Sequence, residues 1–392
     1  MPSVAPGAGR QAIRDARNKH RIGIPKVLNV WTTHQFWLGF FGALGIRVVF
    51  SSDTSEEQMR EYGRGRGTVD CCYPVKCMSG HYGELLFGQR RKIDVLFSPM
   101  IYSLDSFLRG HVIDSLACPR VMAAPESIRA GFTKEKDIFA ENGVRYVAPL
   151  VSLGEPLLVP RQLYESLRDT IEGLTLKETK EAVEEGYRTL EAFNQEMRAR
   201  SRQVLEWCAR EERPCIMVLA RPYHMDSGIG HEIEADLQAY GYPILWLQYF
   251  PIDPDLMDWI FGDDIRDGHI ESPLDIRDVW PSSYSANTNE LLWGAKVAAR
   301  VPWISCAIRL TSYECGMDQP TFTPVMQIVE RSGTLFFSFQ ELDSTKPAGS
   351  VKIRVETIAH YLERSSQQII ECKKSAMRVP CPLYAQASSA MT

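Results

Sequence analysis

The chain has 392 residues, of which 44% are hydrophobic and 24% charged, and its formal net charge is −5. That length suits roughly two or three domains of about 150 residues each, and the balance is that of a globular protein. The slight acidity gives no basic footprint for nucleic acid, and no apolar run approaches the roughly 20 residues of a membrane span.

The N-terminus has no signal-peptide core, so the expected location is the cytoplasm, where disulfides are disfavoured. The ten cysteines then point to metal or redox chemistry, or to plain burial as small hydrophobes.

Residues 1–21 lack apolar periodicity and read as a flexible arm. A first α/β domain over 22–155 opens with the apolar run Ile22–Trp31, which suits a buried parallel strand. Thr33 is a candidate cap for a helix whose apolar face is Phe36, Trp37, Phe40, Phe41 and Leu44, ended by Gly45. Ile46–Ser51 reads as a strand, and Thr54-Ser-Glu-Glu starts a helix in capping-box style. The 71–81 stretch continues as a helix to Phe87, with Pro74 in its first turn. Ile93–Pro99 and Val121–Ala124 read as strands, with a helix starting at Pro125.

Residues 156–212 have helical spacing and read as a linker of about two helices broken at Gly173. A second α/β domain over 213–370 opens with the strand Pro214–Ala220. Its expected elements are helix 232–240, strand 242–247, helix 289–299, strand 303–310, helix 322–332, strand 334–339 and helix 352–368. The aspartate-rich stretch 250–288 takes no regular assignment and suggests a functional loop or interface, and 371–392 is a tail. The alternation predicts an α/β protein of two doubly wound, parallel-sheet (Rossmann-like) domains joined by long helices.

The chemistry concentrates in Asp70–His81, where Cys71, Cys72 and Cys77 fall together; Cys118 follows in Ala-Cys-Pro and Cys315 in Tyr-Glu-Cys-Gly-Met. Each sits where a strand or loop gives way to a helix, and the positive end of a helix dipole favours thiolates as metal ligands. In open α/β sheets ligands sit beyond the carboxyl ends of the strands. The expectation is that Cys72, Cys118 and Cys315 converge on an iron–sulfur cluster and leave one iron coordination position open for a substrate, a sulfide or a second cluster. Zinc held by Cys72, Cys77 and His81, a catalytic thiol pairing Cys72 with His81 or His224, and plain core cysteines compete with this reading. The loop Arg221-Pro-Tyr-His-Met-Asp-Ser-Gly-Ile-Gly-His231 lacks G-x-G-x-x-G and a P-loop lysine, so nucleotide binding is not expected there. Arg221 and His224 are candidates to face a substrate or the cluster's surroundings, although a lone histidine is more often a satisfied structural one.

Ile22-Gly-Ile-Pro-Lys-Val-Leu-Asn, Phe36-Trp37, Phe41-x-Ala-Leu-Gly45, Cys72-Tyr-Pro-Val-Lys76, Gly80-His81, Ala117-Cys-Pro and Ser312-x-x-Cys-Gly-Met-Asp318, with Glu341-Leu-Asp343 and Val351-Lys-Ile-Arg354, form an ordered set over about 22–370. In that set the chain resembles the acyl-CoA dehydratase activase-related proteins, which are similar to the iron–sulfur subunits of 2-hydroxyacyl-CoA dehydratases and to double-cubane cluster proteins. The resemblance implies a cubane or double-cubane iron–sulfur cluster on Cys72, Cys118 and Cys315. A larger cluster would draw on Cys71, Cys77 and Cys306 or on a second chain of a homo- or hetero-oligomer. Lys76 and His81 would donate hydrogen bonds to it. The implied partner is a separate ATP-hydrolysing activase that passes low-potential electrons to this chain for reductive or dehydratase-type chemistry on a small substrate. Two alternatives are a non-catalytic electron carrier or scaffold of such a complex, and a metal-free cysteine-dependent acyl-CoA enzyme. Ser79-Gly-His, where relatives often read His-Gly-His, and the 250–288 segment depart from the family pattern.

Overall fold

A computed structural model describes residues 10–66, 72–88, 92–280, 283–312, 315–340, 342 and 348–383. The chain divides into two compact units, and their borders interleave in sequence. The first takes the N-terminal part through Asp105, then Leu116–Phe193 and Met225–Ile229; the second takes Ser106–Ser115, Asn194–His224 and Gly230 onward. The helical stretch after 156 is therefore not a separate body: most of it belongs to the first unit.

In the first unit, α1 (Arg10–Arg17) occupies part of the expected flexible arm. It is held because Arg17, 2% exposed, donates to the Glu178 carboxylate at 2.6 Å and to the Glu172 carbonyl. β1 is only Arg21–Ile24, because Pro25 follows and Leu28 takes a positive φ of 55°. The rest of the apolar run turns into α2 (Val30–Ala43), which begins after Asn29 without a side-chain cap; Thr33 lies inside it, and its hydroxyl donates back to the Asn29 carbonyl. Phe36, Trp37, Phe40 and Phe41 are fully buried, and Trp37 packs edge-on to Phe97 with centroids 5.0 Å apart.

β2 (Arg47–Phe50) follows, then α3 (Glu56–Gln58), whose Ser55 side chain accepts from the Gln58 N–H as a cap should. A π-helical turn, Met59–Gly63, leads on toward α4 (Tyr73–Phe87), β3 (Val95–Phe97) and β4 (Met100–Ser103). α5 (Pro119–Thr133) replaces the expected strand at 121–124: Pro119 supplies a helical first turn, and Pro125 is tolerated inside the helix. The Pro125 carbonyl accepts from Tyr146 at 2.9 Å. α6 (Ile138–Glu141), β5 (Arg145–Val147), β6 (Leu150–Ser152), α7 (Val159–Leu167) and α8 (Leu176–Arg210) complete the series. The main sheet is parallel in the order β2-β1-β3-β5, with β4 and β6 pairing apart from it. Gly173, φ 66°, makes the break between α7 and α8.

In the second unit, β7 (Cys215–Ala220), α9 (Ile233–Ala239), β8 (Ile244–Trp246), α10 (Pro254–Arg266), α11 (Ala286–Arg300), β9 (Ile304–Leu310), α12 (Phe322–Arg331), β10 (Leu335–Phe339) and α13 (Ala348–Ala376) follow in turn. The sheet order is β10-β9-β7-β8, all parallel. Every residue of β7 and β9 is buried, as strands covered on both faces should be. Part of the 250–288 stretch is the ordinary helix α10, which buries Trp259, Ile260 and Phe261. Lys373 of α13 donates to the carbonyls of Ala298, Val301 and Ile304, closing the end of α11. α13 also runs on into what the sequence offered as tail.

Both main sheets place the strands of their unit in the same order, second-first-third-fourth. Each has one point where the chain reverses direction across the sheet: between β1 and β3 in one unit, and between β7 and β9 in the other. No helix among the described residues is long and apolar enough to cross a membrane.

Candidate functional site

The reversal points are where such sheets hold ligands. In the first unit the loops after β1 and β3 leave a narrow crevice of about 20 Å³, room for a single water, lined by residues that include Leu28, Asn29, Met78, Ser98, Val121 and Pro125 but neither cysteine. Met78 comes from α4 and Val121 from α5, two helices that pack together. Cys72 is the N-cap of α4 and Cys118 the N-cap of α5, both with extended backbone and both followed by proline in the first turn. Neither side chain caps its own helix. Two thiols 46 positions apart in sequence are thus built in the same way at the heads of the helices that wall this crevice. The buried Asn29 amide nitrogen has no hydrogen-bond partner there among the described residues. Lys76, on α4, is exposed.

The remaining candidates of this unit are differently placed. Cys77 is fully buried, and burial first of all pushes its thiol pKa well up. It lies in the core. Cys71 lies outside the described residues. His81 is 0% exposed and both its ring nitrogens are engaged. The hydrogen-bond directions form one chain. The Lys26 N–H donates to Ser51 Oγ, which donates to His81 Nδ1; His81 Nε2 donates to Thr54 Oγ1, which donates to Asp226. Asp226 also accepts from the backbone N–H groups of Thr54, Gly228 and Ile229. Burial lowers the His81 pKa to about 3, so the ring is neutral. Both ring nitrogens of His81, expected to face a cluster or a substrate, are here spent on Ser51 and Thr54. Gly228 sits so close to the Thr54 carbonyl that a Cβ there would lie 2.1 Å from the oxygen. Gly228 is thus required by close packing against the Thr54 backbone.

In the second unit the loops after β7 and β9 carry Arg221, His224, Ser312 and Cys315. Arg221 is 1% exposed and makes a two-nitrogen fork on Asp318, with Nη2 at 2.7 Å from Oδ1, and a further bond to Thr288. Arg309, a lone arginine in the apolar strand β9, donates to the Asp318 carbonyl at 2.6 Å and to Thr321. Its Nε and Nη1 have no partner among the described residues, and neither do His224 Nε2 and Ser312 Oγ. All four groups belong to residues at most 3% exposed. Burial lowers the His224 pKa to about 4. Burial opposes the charge of Asp318, but Arg221 outweighs it and holds the carboxyl below its ordinary range. Burial, then Asp318, pushes the Cys315 thiol up. Cys306 lies inside β9 at 0% exposure, its thiol pushed up by burial, and is core.

The nine described cysteines are thiols rather than disulfides. Among the described residues no group of three or more His, Cys, Asp or Glu is assembled for a metal ion. Reading the sequence missed Ser51, Thr54 and Asp226 as the setting of His81. It also missed Arg309 and Thr288; an arginine inside an otherwise apolar strand was the available signal.

Residues 21–250 match the family described as CoA enzyme activase uncharacterised domain. The chain belongs to that family. The matched span covers more than half of the chain and contains Cys72, Cys118, Arg221 and His224, while Cys315 lies beyond it. A search of the curated proteins gives no match.

Proposed function

We propose that this activase-family chain is an iron–sulfur protein that accepts low-potential electrons from a separate ATP-hydrolysing partner and uses them on a small substrate. The observation that carries the reading is the matched pair Cys72 and Cys118, each at the head of one of two helices that pack together in the first unit. Thiols at helix starts suit thiolate ligation, because the first-turn N–H groups and the dipole stabilise the anion. When bound, a cluster would supply reversible one-electron transfer.

Cys72 and Cys118 are the first-unit ligands in this reading. Cys315 is the second-unit ligand, and Arg221 and Arg309 are the charges that compensate its thiolate. Cys77, Cys306 and His81 keep structural roles. The family match supports an activase-related role and is compatible with an ATPase partner; the two-domain, Rossmann-like description and an oligomer belong to the same proposal.

The experiment is iron and acid-labile sulfide analysis of protein purified without oxygen, repeated on Cys72→Ser, Cys118→Ser and Cys315→Ser. Brown protein that loses iron in each variant supports the proposal. A colourless wild type, or full iron in all three variants, overturns it.

A further inference from the structure

The outer face of the two-stranded ribbon β4/β6 in the first unit is apolar and exposed. Ile101 and Val151 stand opposite each other in its ladder and are buried on the inner side. Their neighbours Tyr102 and Leu150 alternate to the other side, where each is about half exposed. Tyr102 sits where the ladder slips its register, between Ile101 and Ser103, and such a bulge re-aims a side chain. The turn after β6 is tied back to the end of β4, because the Gly154 N–H donates to the Ser103 carbonyl at 3.2 Å. That turn carries Leu157, 94% exposed, and Leu158, half exposed. Four large apolar side chains therefore meet water at one corner of the first unit.

This patch adjoins Cys118. Residues 116 and 117 run along the outer edge of β4: Leu116 bridges Ser103, and the Ala117 N–H donates to the Tyr102 carbonyl at 2.9 Å. Cys118 is the next residue, and of the pair Cys72 and Cys118 it is the partly exposed one. An electron entering the first unit crosses the least protein beside the thiol nearest the surface, because tunnelling falls off steeply with distance. The size of the patch selects the kind of occupant. Four side chains offer a few hundred Å², far short of the roughly 2,000 Å² or more that permanent dimers bury, and in keeping with the small, transient contacts of electron-transfer proteins.

Resting on the function proposed above, we infer that Tyr102, Leu150, Leu157 and Leu158 form the docking surface for the electron-donating protein. That partner has a contact face with an apolar centre, and its redox group comes to rest beside Cys118. One electron leaves the donor's redox group and enters the proposed cluster; no bond is made or broken. A small apolar contact holds the donor without buried charge pairs, so it leaves once the electron has passed.

The test is fluorescence anisotropy of the labelled ATP-hydrolysing activase from the same organism, in Mg-ATP without oxygen, titrated with the full chain. Wild type should bind with a dissociation constant on the order of micromolar. The double variant Leu157→Asp with Leu158→Asp puts two carboxylates into the patch, and an aspartate at Leu158 also suits the N-cap position of α7. Its dissociation constant should rise at least about tenfold, and Leu150→Lys should act in the same direction. Ile353→Asp, exposed on α13 of the second unit, should leave the affinity unchanged. Unchanged melting temperatures show that the variants are folded. No binding by wild type, affinity unchanged in the patch variants, or an equal loss in Ile353→Asp overturns the inference. The readout does not depend on iron in this chain. A colourless protein that docks through Leu157 supports the surface and overturns the cluster, whereas a brown protein whose patch variants bind like wild type does the reverse.

Discussion

Each unit buries a polar cluster, and the two clusters are finished differently. Around His81 in the first unit, both ring nitrogens and the Asp226 carboxylate have partners, in an unbroken chain from Lys26 to Gly228, and among the described residues only Gln58 Oε1 beside it lacks one. Around Arg221 in the second unit, one ion pair is complete while Arg309, His224 and Ser312 each retain an unpaired polar atom. Satisfied networks fix a fold, whereas buried polar atoms left unpaired cost stability unless water or another group completes them. The sequence drew attention to His81 and His224 equally, and only the partners separate them.

The sharpest way to break this comparison is Asp318→Asn. It strips the counter-charge from two guanidinium groups and should cost about 3–5 kcal/mol in urea unfolding. A loss below about 1 kcal/mol would mean that water already reaches the cluster. Next, His81→Leu leaves Ser51 and Thr54 buried without their ring partner. It should cost about 1–3 kcal/mol while leaving the iron content of anaerobically purified protein unchanged. A drop in iron would return His81 to the proposed site.

Acid should act on both units in one direction. The folded pKa values of His81, about 3, and His224, about 4, lie below the unfolded value of about 6.5. Between those limits the unfolded chain takes up protons that the folded chain refuses. The stability that these histidines contribute is therefore full above about pH 6.5 and is lost as pH falls toward 3 or 4, at up to about 1.4 kcal/mol per pH unit for each group. Urea midpoints measured from pH 7 to 4 should fall, and less steeply in His81→Leu. The smallest effect belongs to the pair of Arg202 with Asp255, forked at 2.9 and 2.7 Å but half-exposed on the carboxylate side. Arg202→Met should cost under about 1 kcal/mol and become neutral at high salt.

Much of the fold was legible because local rules and burial agree. The apolar strand β7, the aromatic stripe Phe36–Phe41 and the long helices over 176–210 and 348–376 read correctly as to type. The misreadings occur where a local signal was overruled. The run from Ile22 stops being a strand at Pro25, and Val121–Ala124 is helical because Pro119 had already set the first turn. The 250–288 stretch looked loop-like because aspartates on α10 mask an apolar face buried at Trp259 and Phe261.

The sequence by itself determined the α/β alternation, since hydrophobic periodicity is a property of neighbours along the chain. It also determined that Cys72 would stand at a helix start, with Pro74 in the first turn, whereas the helix that begins directly after Cys118 emerged only in the structure. Only the tertiary structure decided which polar residues are spent on the fold. The partners of His81 lie 23 to 30 positions away, and Asp226 is 172 positions from Thr54. Asp318 likewise finds Arg221 across 97 positions. Hydrogen bonding is a short-range force between groups that the chain brings together from far apart, so their pairing is fixed by packing and is invisible in sequence order.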